Sequence, residues 1–305
     1  MEFKQLEVFI NVVKYKSFSK AAEATFLTQP TISTHISALE KELGVKLVDR
    51  KGKESRPTKQ GRALYNYAIN IINTRERALN AMSEFNTEMS GTLEIKASSV
   101  PGMYIVPKII SEFSKLYPSV KFDVEVSDSE KVWGDILDNM GEIGFTGFFQ
   151  NEGLKGETVV KDRLVAITPD TDEFRKLREK GTSITLSELA KHPFIWREAG
   201  SGTRKVFEEK LSSYESCPEI RRTVTVNNME GVIACVTQGM GVSVVSSLSV
   251  SEKNDRGYLV FEIEDMKAER DFYMVYNKRT TLSPEAQKFK EFVEKRYIDK
   301  ETVNA

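Results

Sequence analysis

The chain has 305 residues, room for two or three domains at roughly 100–200 residues each. With 40% hydrophobic and 29% charged residues it is neither disordered nor membrane-embedded, and no apolar run approaches the ~18 residues a bilayer span needs. The net charge of −1 hides an asymmetry: residues 1–80 hold 14 lysines and arginines against 8 acids and the remainder 30 against 37, so a basic head on an acidic body meets a polyanion at one end only.

The opening segment, MEFKQLEVF, lacks the basic, apolar and small-residue order of a signal peptide. Cys217 and Cys235 match neither a disulfide framework nor a zinc spacing and are expected as two buried thiols in a reducing cytoplasm. A redox-sensing pair is the alternative, and it requires an exposed thiolate.

Leu6, Phe9, Ile10 and Val13 recur at helical spacing and predict one face of a first helix. A second helix, capped by Ser17 or Ser19, runs through Ala21, Ala22 and Phe26, its small alanines admitting a close neighbour. Thr28 reads as the N-cap of a third helix with Pro30 in its first turn, where a missing N–H costs little. Ile32, Ile36, Leu39 and Leu43 form its buried stripe, and Gly44 ends it. The opposite face carries Gln29, Pro30, Thr31, Ser33, Thr34 and Ser37, short and uncharged. A helix entering the major groove needs such a face, because bulky side chains would hold it off the base edges. The following VKLVDRKGKESRPTKQG turns at Gly52 and predicts a basic β-wing, with Arg50, Lys51, Lys53 and Arg56 available to phosphates or the minor groove. A plain three-helix bundle with a solvated polar face is the alternative, but it leaves the tight turn and the basic wing unexplained.

The stretch FSKAAEATFLTQPTISTHISALEKELGVKLVDR resembles the winged helix-turn-helix of LysR-type transcriptional regulators. It has the paired alanines, the Thr-Gln-Pro start, Ser-x-x-Ile-x-x-Leu-Glu in the reading helix and Gly-x-x-Leu-x-x-Arg into the wing. Thr34 and His35 stand where the family often has Arg and Gln, so base preference does not carry over. Val48 replaces a common Phe, a packing change. His35 is expected at the groove or a phosphate rather than on a metal.

Between Lys59 and Gly91 the only glycine or proline is Gly61. Leu64, Ala68, Ile71, Arg75, Ala78, Met82, Phe85 and Met89 step by threes and fours, a coiled-coil seam. Over 60–88 this predicts a rod of about 40–45 Å. A lone helix cannot bury such a seam, so pairing with a second copy is expected; packing on its own body is the alternative. Arg75 would weaken the seam but fix its register.

After Gly91, strands alternate with helices: TLEIKASS, VKFDVEV, EIGFTG, LVAITP, PFIWRE, TVTVNN, GVSVVS, YLVFEIE and DFYMVYN read as strands. The runs Val106–Tyr117, Val132–Met140, Thr203–Leu211 and Met229–Gln238 are amphipathic, so a mostly parallel sheet with covered faces is expected. The resemblance implies two subdomains like those of periplasmic binding proteins, crossed near residues 161–163 and 265–268. The expected layout is a winged helix-turn-helix over 1–58, a linker helix over 59–90 and an α/β effector domain over 91–305. Subdomain I takes about 91–162 and 266–305, and subdomain II about 163–265.

Ligands in open α/β sheets bind beyond strand carboxyl ends, where helix N-termini aim N–H groups. Three segments have that form: ASSVPG with Ser98 and Ser99, GFTGFF with Thr146, and REAGSGTRKVFEEKL with Ser201, Gly202 and Thr203. Asn227 and Asn228 are weaker candidates. Hydroxyls and N–H groups suffice for a small anionic effector without a fixed cation, and the resemblance implies that such segments line a cleft between the subdomains. A flexible loop that merely caps its helix is the alternative for Gly200–Thr203, and an enzyme binding a phosphorylated substrate there is the rival function. The loop lacks the P-loop ending, and neither a dinucleotide fingerprint nor a nucleophile elbow is present. A scaffold assembled through the rod leaves the basic head unexplained.

The expected function is a cytoplasmic, effector-responsive DNA-binding regulator without catalytic residues, cofactor or metal. Its expected partners are double-stranded DNA, a small anion, further copies as dimer and tetramer, and RNA polymerase if it activates.

Overall fold

In the computed structural model, α1 (Phe3–Tyr15) and α2 (Phe18–Thr25) pack beside α3 (Gln29–Leu43) through Phe9, Val12, Ala21, Ala22, Ile32 and Leu39. The structure describes residues 1–49, 54–82, 89–149, 153–213, 218–250, 257–266 and 268–298. They form two units, one of residues 1–89 with 278–288, the other of 90–277 with 289–305.

In the first unit, Ser17 rather than Ser19 caps α2, accepting from the Lys20 N–H. Ser19 instead donates to Gln29 Oε1 at 3.1 Å. Phe26, expected within that helix, closes it in the left-handed conformation at φ 54° and is 97% exposed. Thr28 caps α3, and Gly44 ends it at φ 67°, a conformation in which a Cβ is strained. Val8 and Val12 take core positions while Ile10 is half-buried, and Leu43 is exposed, so both helices are rotated slightly from their expected faces.

Glu40 is buried and ties the reading helix to the wing, accepting from the Leu47 and Val48 N–H groups and from Lys46. Burial alone would raise its carboxyl, but the bonds from Lys46 and the two amides outweigh it and hold the carboxyl below its ordinary value. The wing pairs β1 (Val48–Asp49) antiparallel with β2 (Arg56–Pro57). Gly61 lets the next helix start close to it, since a Cβ there would lie 2.0 Å from the Leu47 carbonyl oxygen.

That helix, α4 (Lys59–Met82), is about 36 Å long at ~1.5 Å per residue; positions 83–88 of the expected rod, Phe85 among them, lie outside the described residues. Tyr65 and Ala68 are buried, Tyr65 meeting Phe9 edge-on at 6.4 Å. The chain at 279–281 is clamped along α4: Asn70 and Asn73 donate to the Arg279 and Thr281 carbonyls, and the Thr281 N–H donates to Asn70. The expected seam therefore splits. Ala68 is consumed within the unit, while Ile71 is half-buried and Ala78 and Met82 face solvent, Met82 80% exposed. Arg75 pairs with Glu76 and lies over the Phe3 ring, lining the same groove along α4 as Ile71 and Ala78.

The second unit runs β3 (Gly91–Ser98), α5 (Ser99–Tyr104), α6 (Val106–Ser114), β4 (Val120–Ser127), α7 (Ser129–Leu137) and β5 (Ile143–Thr146). Then come β6 (Leu154–Pro169), α8 (Asp172–Lys180), β7 (Ser183–Ile184), α9 (Leu186–Leu189), β8 (Phe194–Arg197) and α10 (Gly202–Ser212). It closes with β9 (Arg222–Val226), α11 (Met229–Thr237), β10 (Ser243–Ser246), β11 (Tyr258–Ile263), β12 (Glu269–Asn277) and α12 (Pro284–Val293), the last shared with the first unit. The sheet is mixed, not mostly parallel. β3 runs parallel to β4 and β5, and β8 parallel to β9, but β12 is antiparallel to β5 and β6. β10 and β11 are also antiparallel to β6.

The cause is β6, which pairs with β12 over residues 154–163 and with β10 and β11 over 164–169, serving both subdomains. Only its apolar second half was legible in sequence; LKGETVVKDR is too polar to mark a strand. One subdomain buries Phe113, Phe145 and Phe289, and the other stacks Phe194 on Phe207 at 5.6 Å. Cys235 is half-buried rather than buried, and Cys217 lies outside the described residues.

Candidate functional site

Two sites follow from these elements. On α3, Gln29, Pro30, Thr34 and Ser37 are exposed and Thr31, Ser33 and His35 half-buried, a face free of formal charge when His35 is neutral. Thr34 donates to the Pro30 carbonyl at 3.0 Å and Thr31 shares a hydrogen bond with Thr28, so these hydroxyls stay close to the helix. Gln29 receives the Ser19 hydroxyl on its carbonyl oxygen, which leaves its amide N–H donors outside that bond. Arg56 on the wing is exposed and pairs with Glu54 at 3.2 Å; Arg50, Lys51 and Lys53 lie outside the described residues.

The second site is a cleft in the second unit, where the strand ends of one subdomain face α10 of the other. Ser98, Ser99, Ser201, Gly202 and Thr203 all line it. Thr146 does not. It is wholly buried and donates its hydroxyl to the Phe148 carbonyl, and Gly147 forms that part of the wall. Asn228 is likewise spent, capping α11 by accepting from the Gly231 N–H, and neither it nor Asn227 reaches the cleft.

Sequence reasoning missed two arginines: the cleft wall places fixed cations beside the hydroxyls that were expected to hold an anion without one. Arg197 ends the apolar strand β8 with its side chain 3% exposed, donating twice to Glu198 at 2.8 Å and to the Ser99 hydroxyl at 3.2 Å. Arg270, the second residue of β12, donates to Asp162 at 2.7 Å and to the Thr203 hydroxyl at 3.1 Å. Its remaining nitrogen, Nη2, is buried without a hydrogen-bond partner among the described residues. Asp162 also accepts from the Ser246 and Ser247 hydroxyls. The available signal was an arginine at the end of a buried strand, FIWR, a place where a buried charge demands a partner.

The cleft is closed down to a cavity of about 10 Å³, the space of one water-sized group. The Glu130 N–H reaches the Gly200 carbonyl at 3.4 Å across it. Gly202 permits this approach: a Cβ there would lie 2.5 Å from the Ser129 hydroxyl and 3.2 Å from the Gly147 backbone. The N-termini of α7 and α10 converge here with partial positive charge, while Asp128, which caps α7 and also lines the cavity, offsets part of it.

Residues 3–62 match the model of bacterial regulatory helix-turn-helix proteins of the lysR family, and residues 86–297 match the LysR substrate binding domain. An uncharacterized HTH-type transcriptional regulator of Methanocaldococcus jannaschii is 33% identical over 95% of this chain and 97% of its own. Full-length OxyR from Pseudomonas aeruginosa, as a point variant, superimposes with a TM-score of 0.77 at 18% identity, over 96% of this chain and 95% of that one. The regulatory domain of CcmR from Synechocystis, solved in complex with 2-PG, superimposes with a TM-score of 0.61 at 22% identity, over 69% of this chain and 99% of that one. No helix among the described residues is long and apolar enough to cross a membrane.

Proposed function

Because the chain belongs to the LysR family, DNA-binding transcriptional regulators with an effector-binding domain and not enzymes, we propose that a small anion held in the cleft of the second unit controls its binding to DNA. The carrying observation is Arg270: a buried guanidinium with one nitrogen left unpaired at the cleft wall, an arrangement that costs free energy until an acceptor arrives. Ser99, Thr203 and the N-terminus of α10 supply further donors. The closed cavity is too small for a metabolite, so the effector enters a wider cleft and selects among subdomain angles, which requires unequal affinity for the two arrangements.

In this reading Gln29, Pro30, Thr31, Ser33, Thr34 and Ser37 read bases, while Arg50, Lys53 and Arg56 hold phosphates. The head spans 1–58, the linker helix 59–90 and the regulatory domain 91–305. Copies pair along the linker helix and assemble further into tetramers in the cytoplasm, with RNA polymerase as partner where the regulator activates.

Thermal-shift screening of the full chain against small oxyanions and central metabolites identifies the effector, since a ligand bound only to the folded state raises its stability. Calorimetry on Ser99→Ala and Thr203→Val is then expected to show affinity weaker by about 1–3 kcal/mol, because each removes a hydroxyl that donates to the bound anion. DNA affinity without effector should stay near that of the parent protein. Parental effector affinity in both variants would place the pocket elsewhere.

A further inference from the structure

Just ahead of β8 in the chain, Glu173 in the first turn of α8, Glu188 in α9 and His192 in the turn before β8 bring their side chains together on the second subdomain. One ligand atom of each lies within 4.8 Å of the other two. His192 Nε2 is buried and has no hydrogen-bond partner among the described residues, with the nearest Glu173 oxygen 3.8 Å away. The ring is held in this orientation by Phe174, whose centroid lies 4.7 Å from its own. A buried imidazole nitrogen without a partner, facing two carboxylates, is a donor set short of an acceptor.

We propose that Glu173, Glu188 and His192 bind a divalent first-row transition metal ion, with zinc as the reference case. Two carboxylates and one neutral imidazole offset the dipositive charge. Three protein ligands leave a tetrahedral ion its fourth position for water. Ligand distances of about 2.0–2.2 Å require the three atoms to draw inward slightly, a shift that glutamate rotamers supply because Glu173 is 62% exposed. Glu188 is meanwhile engaged by the exposed Lys191 at 2.5 Å, a cation that competes with an ion for this carboxylate. An ion there would pin α8 and α9 to the segment that continues into β8 and ends at Arg197, joining metal occupancy to the wall of the cleft. The spacing 173, 188 and 192 matches no common zinc pattern, which is why sequence reading passes over it.

The test titrates the full chain with Zn²⁺ against a chromogenic chelator, in a Cys217→Ser/Cys235→Ser background that removes the two thiols as rival ligands. One ion per chain is expected. Glu173→Gln and His192→Ala should each weaken binding by more than the roughly 10–100-fold that loss of an outer-shell partner costs. Lys191→Gln should tighten it, a change that a purely structural cluster would not produce. Circular dichroism of Glu173→Gln, a surface substitution, keeps a folding defect from imitating a lost ligand. No retention against the chelator, or equal affinity in all variants, overturns the site and leaves His192 and Glu173 as plain neighbours. The effector reading is unaffected by that result, because it rests on Arg270.

Discussion

Arg270→Met is expected to destabilise the second unit by about 3–5 kcal/mol, the cost of leaving a buried charge without its partner. Asp162 has a fully buried side chain, and without the guanidinium only the Ser246 and Ser247 hydroxyls remain to it. Burial draws the Arg270 guanidinium below its ordinary value, against the opposing attraction of Asp162, so the pair is held at high desolvation cost. Replacing both partners therefore costs far less: Arg270→Met with Asp162→Asn removes both charges, the amide oxygen still accepting from one serine hydroxyl while the amide N–H donates to the oxygen of the other. Both tryptophans, Trp133 and Trp196, lie in this unit, so their fluorescence during urea unfolding reports on it alone. A single-variant loss under about 1 kcal/mol, or a double variant no better than the single, would show that the pair is not coupled as the geometry implies.

Ile71→Asp with Met82→Asp should convert the protein to folded monomers. Tyr67 is 68% exposed and Met82 80% exposed, and Phe3, Tyr67, Ile71 and Ala78 border a surface groove of about 430 Å³ along α4. Such a stretch of exposed apolar side chains marks a contact surface. Because both replaced positions keep solvent access in the single chain, the aspartates cost little there, whereas in a paired helix each would be an unpaired buried charge. Light scattering should show the monomer mass, and binding to paired half-sites should be lost while the head still folds. An unchanged mass would mean that the helix is satisfied by its own unit alone. The clamp of Asn70 and Asn73 on residues 279–281 already satisfies one side of it.

The head was legible because its signals are local. Thr28, Pro30 and Gly44 act within a turn of where they stand, and the apolar spacing of α3 needs no distant partner. Glu40 was visible only as a motif residue; its role depends on the Leu47 and Val48 amides folding back over it. In the second unit the strands with apolar runs could be read, but β6 could not be seen whole, because a strand shared by two subdomains changes partners halfway.

The same limit hid the arginines of the cleft. Arg197 and Thr203 are neighbours in sequence, but Arg270 reaches them only because β12 begins beside Asp162. Thr146 misled for the opposite reason: a hydroxyl at a strand end is available until the next turn offers it a carbonyl, as Phe148 does.

The base-reading role of α3 is tested most directly by fluorescence anisotropy of Gln29→Ala on a cognate operator, selected from a random library by the parent protein, and on random duplex of equal length. Loss of the glutamine should weaken cognate binding by about 1–3 kcal/mol and leave random binding nearly unchanged. Arg56→Ala serves as the internal contrast: it should weaken both and reduce the salt slope by about one unit. Equal losses on cognate and random DNA for Gln29→Ala would contradict the assignment of α3 as the helix that reads sequence.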